Sequence, residues 1–323
     1  MAVKQNKTEG SLQYIHPSKI LPNPDNPRII FRQEEMESLL VSIDNHGIQV
    51  PINVYKSGKL YYLIDGERRW RCAKKMNLHS IPAMIQQKPT QLENLLLMSN
   101  IHALREQWDY FTIAINLKRI IELFIEELAY EPNEIELSKE TGLTRGQIRR
   151  CHLLLDLPQR FKDILLEELE LPKSQQKISE DFFIEMERSL KTVVKRIPEF
   201  GDNIDEIRHS LIDKFKTGII DNITDFRQLS KIATAIENIG VRKNKAKIAL
   251  TKLFDANNNI GIRDVYTESV GFGYDEQRAY QQLEYINEYL AEIIQDQEKE
   301  KLDQEFIELL SALYSKLKTL LED

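Results

Sequence analysis

Apolar positions along the chain recur with two periods, and the change falls near residue 90. Before it, "YIHPSKILPNPDNPR" predicts a short strand followed by a proline-punctuated loop. "PINVY" and "KLYYLI" predict a hairpin around the turn Lys56-Ser57-Gly58-Lys59, and "IPAMI" (81–85) predicts another strand. Met36, Leu39, Leu40 and Ile43 stand at helical spacing within residues 34–46, and Gly47 stops that helix. A further helix opens at Glu67, with Trp70 and Ala73 on its inner face. The expectation is a small mixed α/β N-terminal domain.

From Gln91 onward strand signals nearly vanish. "QLENLLLMSNIHA" and "WDYFTIAINLKRIIELFIEEL" predict helices, and "NEIELSKETGLTRGQIRRCHLLLDLP" (133–158) has the form of a helix-turn-helix. Ile135, Leu137 and Ser138 belong to its first helix, and Gly142 and Leu143 make the turn. Thr144 caps the second helix, and Gln147 completes a capping box. Ile148, Cys151, Leu154 and Leu155 face inward, which leaves Arg145, Gln147, Arg149, Arg150 and His152 outside. Residues 161–255 are helical, most clearly in "IDNITDFRQLSKIATAIENI". Beyond the glycine-containing "ESVGFGYDEQ", Leu283, Ile286, Leu290, Ile293, Leu309, Leu313, Leu317 and Leu320 mark two helices with an acidic exterior. The fold class is therefore α+β: the mixed domain over 1–105, an all-helical domain over 106–270 with its helix-turn-helix at 134–157, and C-terminal helices over 271–323 as a dimerisation region.

Composition narrows the class. The apolar fraction of 41% and charged fraction of 29% suit a folded globular protein. No apolar run is long enough to cross a bilayer and the opening "MAVKQNKTEG" lacks a secretory core, so a cytoplasmic protein with no membrane partner is expected. Cys72 and Cys151, far apart and without CxxC or histidine neighbours, read as buried apolar residues. No GxxxxGK or HExxH stands in the chain, which argues against P-loop and zincin chemistry. The net charge of −7 is uneven: residues 1–160 carry 21 Lys+Arg against 19 Asp+Glu, or +2, and the rest 23 against 32, or −9. Any basic surface for phosphate lies in the first half.

Two clusters there carry candidate chemistry. In "YYLIDGERRWRC" (61–72), Arg68, Arg69 and Arg71 fall in the first turn of a helix, where the dipole and unpaired N–H groups favour carboxylates instead. An anion at the helix start explains them, and so does pairing with Glu67 and outside carboxylates. In the second helix of the helix-turn-helix, arginine and glutamine suit guanine and adenine edges in the major groove.

Taken in order, these elements resemble ParB-type partition proteins over roughly residues 10–160. "GERRWRC" is similar to that family's GERRxR phosphate box, "NHGIQVPINVY" to its Gly-x-x-x-Pro box, "SNIHALREQWD" to its ENxxR box and 137–158 to its helix-turn-helix. The resemblance implies an N-terminal CTP-binding domain, a central domain that recognises a centromere-like or operator site in double-stranded DNA, and a C-terminal homodimer region. It also implies a clamp closed by CTP with Mg2+, nucleoid or plasmid association, and a partition ATPase of the ParA type as partner. By resemblance, Gly47, Gly66, Glu67, Arg68, Arg69, Arg71 and Asn100 bind the nucleotide, with Asn100 near the metal. Thr144, Arg145, Gln147, Arg149 and Arg150 contact DNA. Three positions depart from the pattern: Ser99 replaces a glutamate, Val50 a glutamine and Tyr55 an arginine. Weak CTP hydrolysis stays open. So do two alternatives, a ParB-fold enzyme (nucleotide-dependent kinase or nuclease) and a transcriptional regulator with a degenerate nucleotide site.

Overall fold

The structure is a computed structural model that describes residues 10–24, 26, 28, 30–102, 109–296 and 299–321. The chain divides into two compact units, one of residues 1–192 and 203–227, the other of 193–202 and 228–323.

The first unit begins with a five-stranded sheet in the order β1-β5-β3-β4-β2. Its strands are β1 (Ser11–Ile15), β2 (Ile20–Leu21), β3 (Ile52–Ser57), β4 (Leu60–Asp65) and β5 (Ile81–Gln86). The β3–β4 hairpin is antiparallel as expected, while β5 returns to the far side of β3 in parallel register and pairs antiparallel with β1. The two-residue β2, parallel to β4, was not anticipated from its proline-flanked sequence. Alternation sends Ile15, Ile52, Val54, Leu63, Ile81 and Ala83 to one face, where they meet Trp70 and Ala73 of helix α2 (Glu67–Lys75). Trp70 Nε1 satisfies itself on the Pro17 carbonyl at 3.0 Å. Helix α1 (Gln33–His46) packs on α2, and α3 (Gln91–His102) packs on β4.

The sheet gives way to helices α4 (Tyr110–Leu128), α5 (Glu134–Thr141), α6 (Arg145–Leu155), α7 (Gln159–Glu170), α8 (Glu180–Arg196) and α9 (Ile204–Lys216). Nine residues of α4 are buried, including Phe111, Leu117, Ile120 and Phe124, and α3 and α6 both pack on it. Fully buried Phe161, Phe182, Phe183 and Phe226 fill the far end, with the Phe182 ring 4.7 Å from that of Phe215. That cluster organises a stretch whose sequence carries little chemistry.

The second unit holds α10 (Phe226–Asn238, entered from the first unit), α11 (Lys243–Phe254), α12 (Ile262–Tyr266), α13 (Phe272–Gln295) and α14 (Gln304–Leu321). The glycines of "ESVGFGYDEQ" do not interrupt the helix: a π-helical turn at Thr267–Gly271 leads straight into α13. Gly273 packs against Ile239, whose Cδ1 would have to shift to admit a Cβ. Neither α13 nor α14 buries a residue, and Leu283, Tyr285, Ile294, Leu309 and Leu320 are exposed.

Candidate functional site

At the start of α2, Gly66 adopts φ +100°, and a Cβ there would lie 2.6 Å from Ile52 Cγ2, so only glycine lets β4 turn into the helix against β3. No side chain caps the helix start. The arginines that follow diverge. Arg69 donates to the carbonyls of Val50 (2.6 Å) and Pro51 (2.9 Å) and to Asp65 Oδ2 (3.1 Å), fastening the segment between Gly47 and Pro51 to the helix. Arg71 pairs with Glu67 Oε1 at 2.6 Å and lies 3.7 Å over the Phe31 ring, while Asn26 donates to the other oxygen of Glu67.

Arg68 is placed differently. Its guanidinium donates to the Glu35 carbonyl (3.1 Å) and lies 3.6 Å from the Glu35 carboxylate, and its Nε is buried with no hydrogen-bond partner. Arg28 (3.4 Å) and Arg32 (3.1 Å) approach the same carboxylate. Burial first, and then the neighbouring Arg68, depress the Arg28 pKa below the usual arginine range. Three guanidiniums thus surround one carboxylate, a local excess of positive charge with an unsatisfied donor. Arg28, Arg32 and Glu35 are members of this cluster that sequence reasoning missed. Two arginines flanking an apolar triplet just before α1 were the available signal.

Asn100 sits on α3, where its Nδ2 donates to the carbonyls of Leu96 (3.0 Å) and Glu140 (3.2 Å), tying α3 to α5. Ser99 is buried on the same side, 3.5 Å from the Thr141 carbonyl. Among the described residues no three His, Cys, Asp or Glu side chains gather as a metal set. The described residues therefore build no carboxylate cage for Mg2+, and a triphosphate would itself supply oxygen ligands. Residues 103–108 of the "SNIHALREQWD" box and residues 1–9 lie outside the described residues.

The helix-turn-helix is assembled by local signals. Asn133 and Glu136 form a capping box on α5, Gly142 ends that helix at φ +75°, and Thr144 and Gln147 form a second box on α6. Gln147 Oε1 is occupied by the Thr144 amide (2.8 Å) and hydroxyl (2.9 Å). Arg150 folds back onto Asp181 and lies 4.5 Å over the Tyr110 ring, so it braces α6 against its neighbours. Arg145 and Arg149 remain on the outer surface, both ion-paired to Glu134 at 3.4 and 2.9 Å. Beneath them, the start of α4 is held by Asp109 as cap (2.7 Å to the Thr112 amide) and by Glu180 Oε1, which accepts from the Phe111 amide at 2.6 Å. Burial, helped by the nearby Asp109 and Asp181 charges and opposed by Arg32, pushes Glu180 up to about 7. Cys72 and Cys151 are buried free thiols as expected, and burial raises the Cys151 pKa to about 12.

Residues 1–101 match the family model described as the ParB N-terminal domain. A "Probable chromosome-partitioning protein ParB" from Helicobacter pylori is 30% identical over 151 residues, 46% of this chain and 49% of that protein. A "Nucleoid occlusion protein" from Geobacillus is 34% identical over 166 residues, 50% of this chain and 55% of that protein. The chain thus spans about half the length of the curated relatives it matches. Among solved structures, the C-terminally truncated chromosome-partitioning protein ParB of Caulobacter crescentus, complexed to the centromeric parS site, aligns with a TM-score of 0.43 and 19% identity over 68% of this chain and 98% of that one.

Proposed function

From the match of residues 1–101 to the ParB N-terminal domain, we propose that this chain is a ParB-type protein that binds a specific double-stranded DNA site in chromosome partition or nucleoid occlusion. The observation that carries the proposal is the coexistence, within one compact unit, of an over-positive arginine cluster at a helix start and a doubly capped helix-turn-helix with outward arginines.

Arg68, with Arg28 and Arg32, would hold the phosphates of a nucleotide, CTP by family. Arg71 and Glu67 border the same helix start, and Arg69 and Gly66 shape it. When bound, the nucleotide supplies the negative charge that balances the excess around Glu35. Arg145 and Arg149 would read base edges from α6, with Thr144 and Gln147 setting the helix start. A homodimer through α13 and α14 is supported by their unburied apolar positions. Protein–DNA selection from a randomised duplex pool, with and without CTP and Mg2+, tests the proposal. Recovery of one preferred sequence is expected, and equal recovery of all sequences contradicts it. For the dimer, light scattering should show the full chain as a dimer and a chain ending at residue 275 as a monomer; a full-length monomer refutes that role.

A further inference from the structure

An acid stands where DNA is proposed to bind. Glu134 is the first residue of α5, and its carboxylate accepts from Arg149 Nε at 3.1 Å to each oxygen, from Arg149 Nη2 at 2.9 Å and from Arg145 Nε at 3.4 Å. The helix dipole favours a carboxylate in this first turn, but Asn133 and Glu136 already cap α5 and Glu136 supplies a second first-turn charge. Folding gains little from it either, since all three side chains are open to solvent. Beside a phosphate backbone its charge is unfavourable. Hydrogen bonds from the arginines lower the Glu134 pKa, so it stays ionised through neutral pH.

Resting on the proposal that α6 reads DNA, we infer that Glu134 is a specificity-determining positioning residue: it orients Arg149 towards a base edge and withholds Arg145 and Arg149 from indiscriminate phosphate contact. A guanidinium offers two ways to form paired hydrogen bonds, through the Nε/Nη2 edge or the Nη1/Nη2 end. Glu134 occupies the Nε/Nη2 edge of Arg149. The Nη1/Nη2 end remains, and it matches the O6 and N7 acceptors of guanine. An arginine already fixed at one edge arrives at the base with fewer rotamers to lose and gains less from a stray phosphate, so the carboxylate sacrifices affinity for discrimination.

The test uses the full chain and its preferred duplex from selection, beside a scrambled duplex, over a range of salt. Glu134→Gln should bind the scrambled duplex more tightly, lower the preferred-to-scrambled affinity ratio about tenfold and steepen the salt slope by about one, because freed arginines reach phosphates. Glu134→Asp, which keeps the charge, should retain most of the ratio. A Glu134→Gln protein with the wild-type ratio and slope overturns the inference. So does one that weakens on both duplexes equally with a lowered melting temperature, which marks a purely structural role. A wild-type chain with no preferred duplex removes the DNA-reading proposal and this inference together, whereas a selective wild type with an unaffected variant removes only the role of Glu134.

Discussion

In the first unit the arginines around Glu35 and those around Glu134 differ in burial. Around Glu35, Arg28 and Arg32 are 13% and 15% exposed, and Arg68 keeps a buried Nε without a partner. Around Glu134, Arg145 and Arg149 are 55% and 60% exposed. In the first, Arg28 and Arg32 are held in place by the fold and screened less by water, which supports the proposed capture of a compact oligoanion. In the second, water and salt compete with every contact, which is compatible with the proposed, exchangeable binding of DNA. The central carboxylates Glu35 and Glu134 are 33% and 35% exposed, so the difference lies in the arginines around them.

The largest expected effect breaks the scaffold of the sheltered cluster. Arg69→Ala strands two carbonyls and leaves Asp65 without that guanidinium, and it should lower unfolding free energy by on the order of 3 kcal/mol in chemical denaturation. Wild-type stability would show that Arg69 is not the fastener of the segment before β3. Next, Glu180→Gln keeps an acceptor for the Phe111 amide but removes the charge. The native acid titrates near 7 and its unfolded counterpart near 4.5, so the native state holds the extra proton between those values and stability falls as pH rises through that window. The variant should therefore match wild type near pH 4.5 and exceed it by about 2–3 kcal/mol at pH 8. Parallel stability curves from pH 4.5 to 8 would contradict the buried carboxyl. Smallest is the exposed cluster: Arg149→Ala should weaken the preferred duplex about tenfold and relax the base preference at one position. Uniform weakening across all duplexes would make it a phosphate contact instead.

How much of this was legible beforehand follows from distance along the chain. The hairpin, the α2 helix and the Thr144–Gln147 capping box rest on neighbours within a few residues, and period and cap chemistry reveal them; the Asn133–Glu136 box, equally local, was missed. The Glu35 cluster was not legible, because Arg68 meets a carboxylate 33 positions away that only the α1–α2 packing brings near. Arg150 looked like an outward reader at helical spacing, but Asp181, 31 positions on, turns it inward. Gly271 and Gly273 lie within a continuous helical run, where Gly271 faces Tyr266 and Gly273 faces Ile239.

Calorimetric titration of the full chain with CTP and Mg2+, beside Arg68→Ala and Arg145→Ala, tests the division of labour most directly. Wild type and Arg145→Ala should bind CTP with the same affinity, and Arg68→Ala should bind it on the order of 10- to 100-fold more weakly while unfolding at the wild-type temperature. An Arg68→Ala protein that binds CTP as wild type does, or a wild-type chain that takes up no CTP with or without its DNA, would contradict the account.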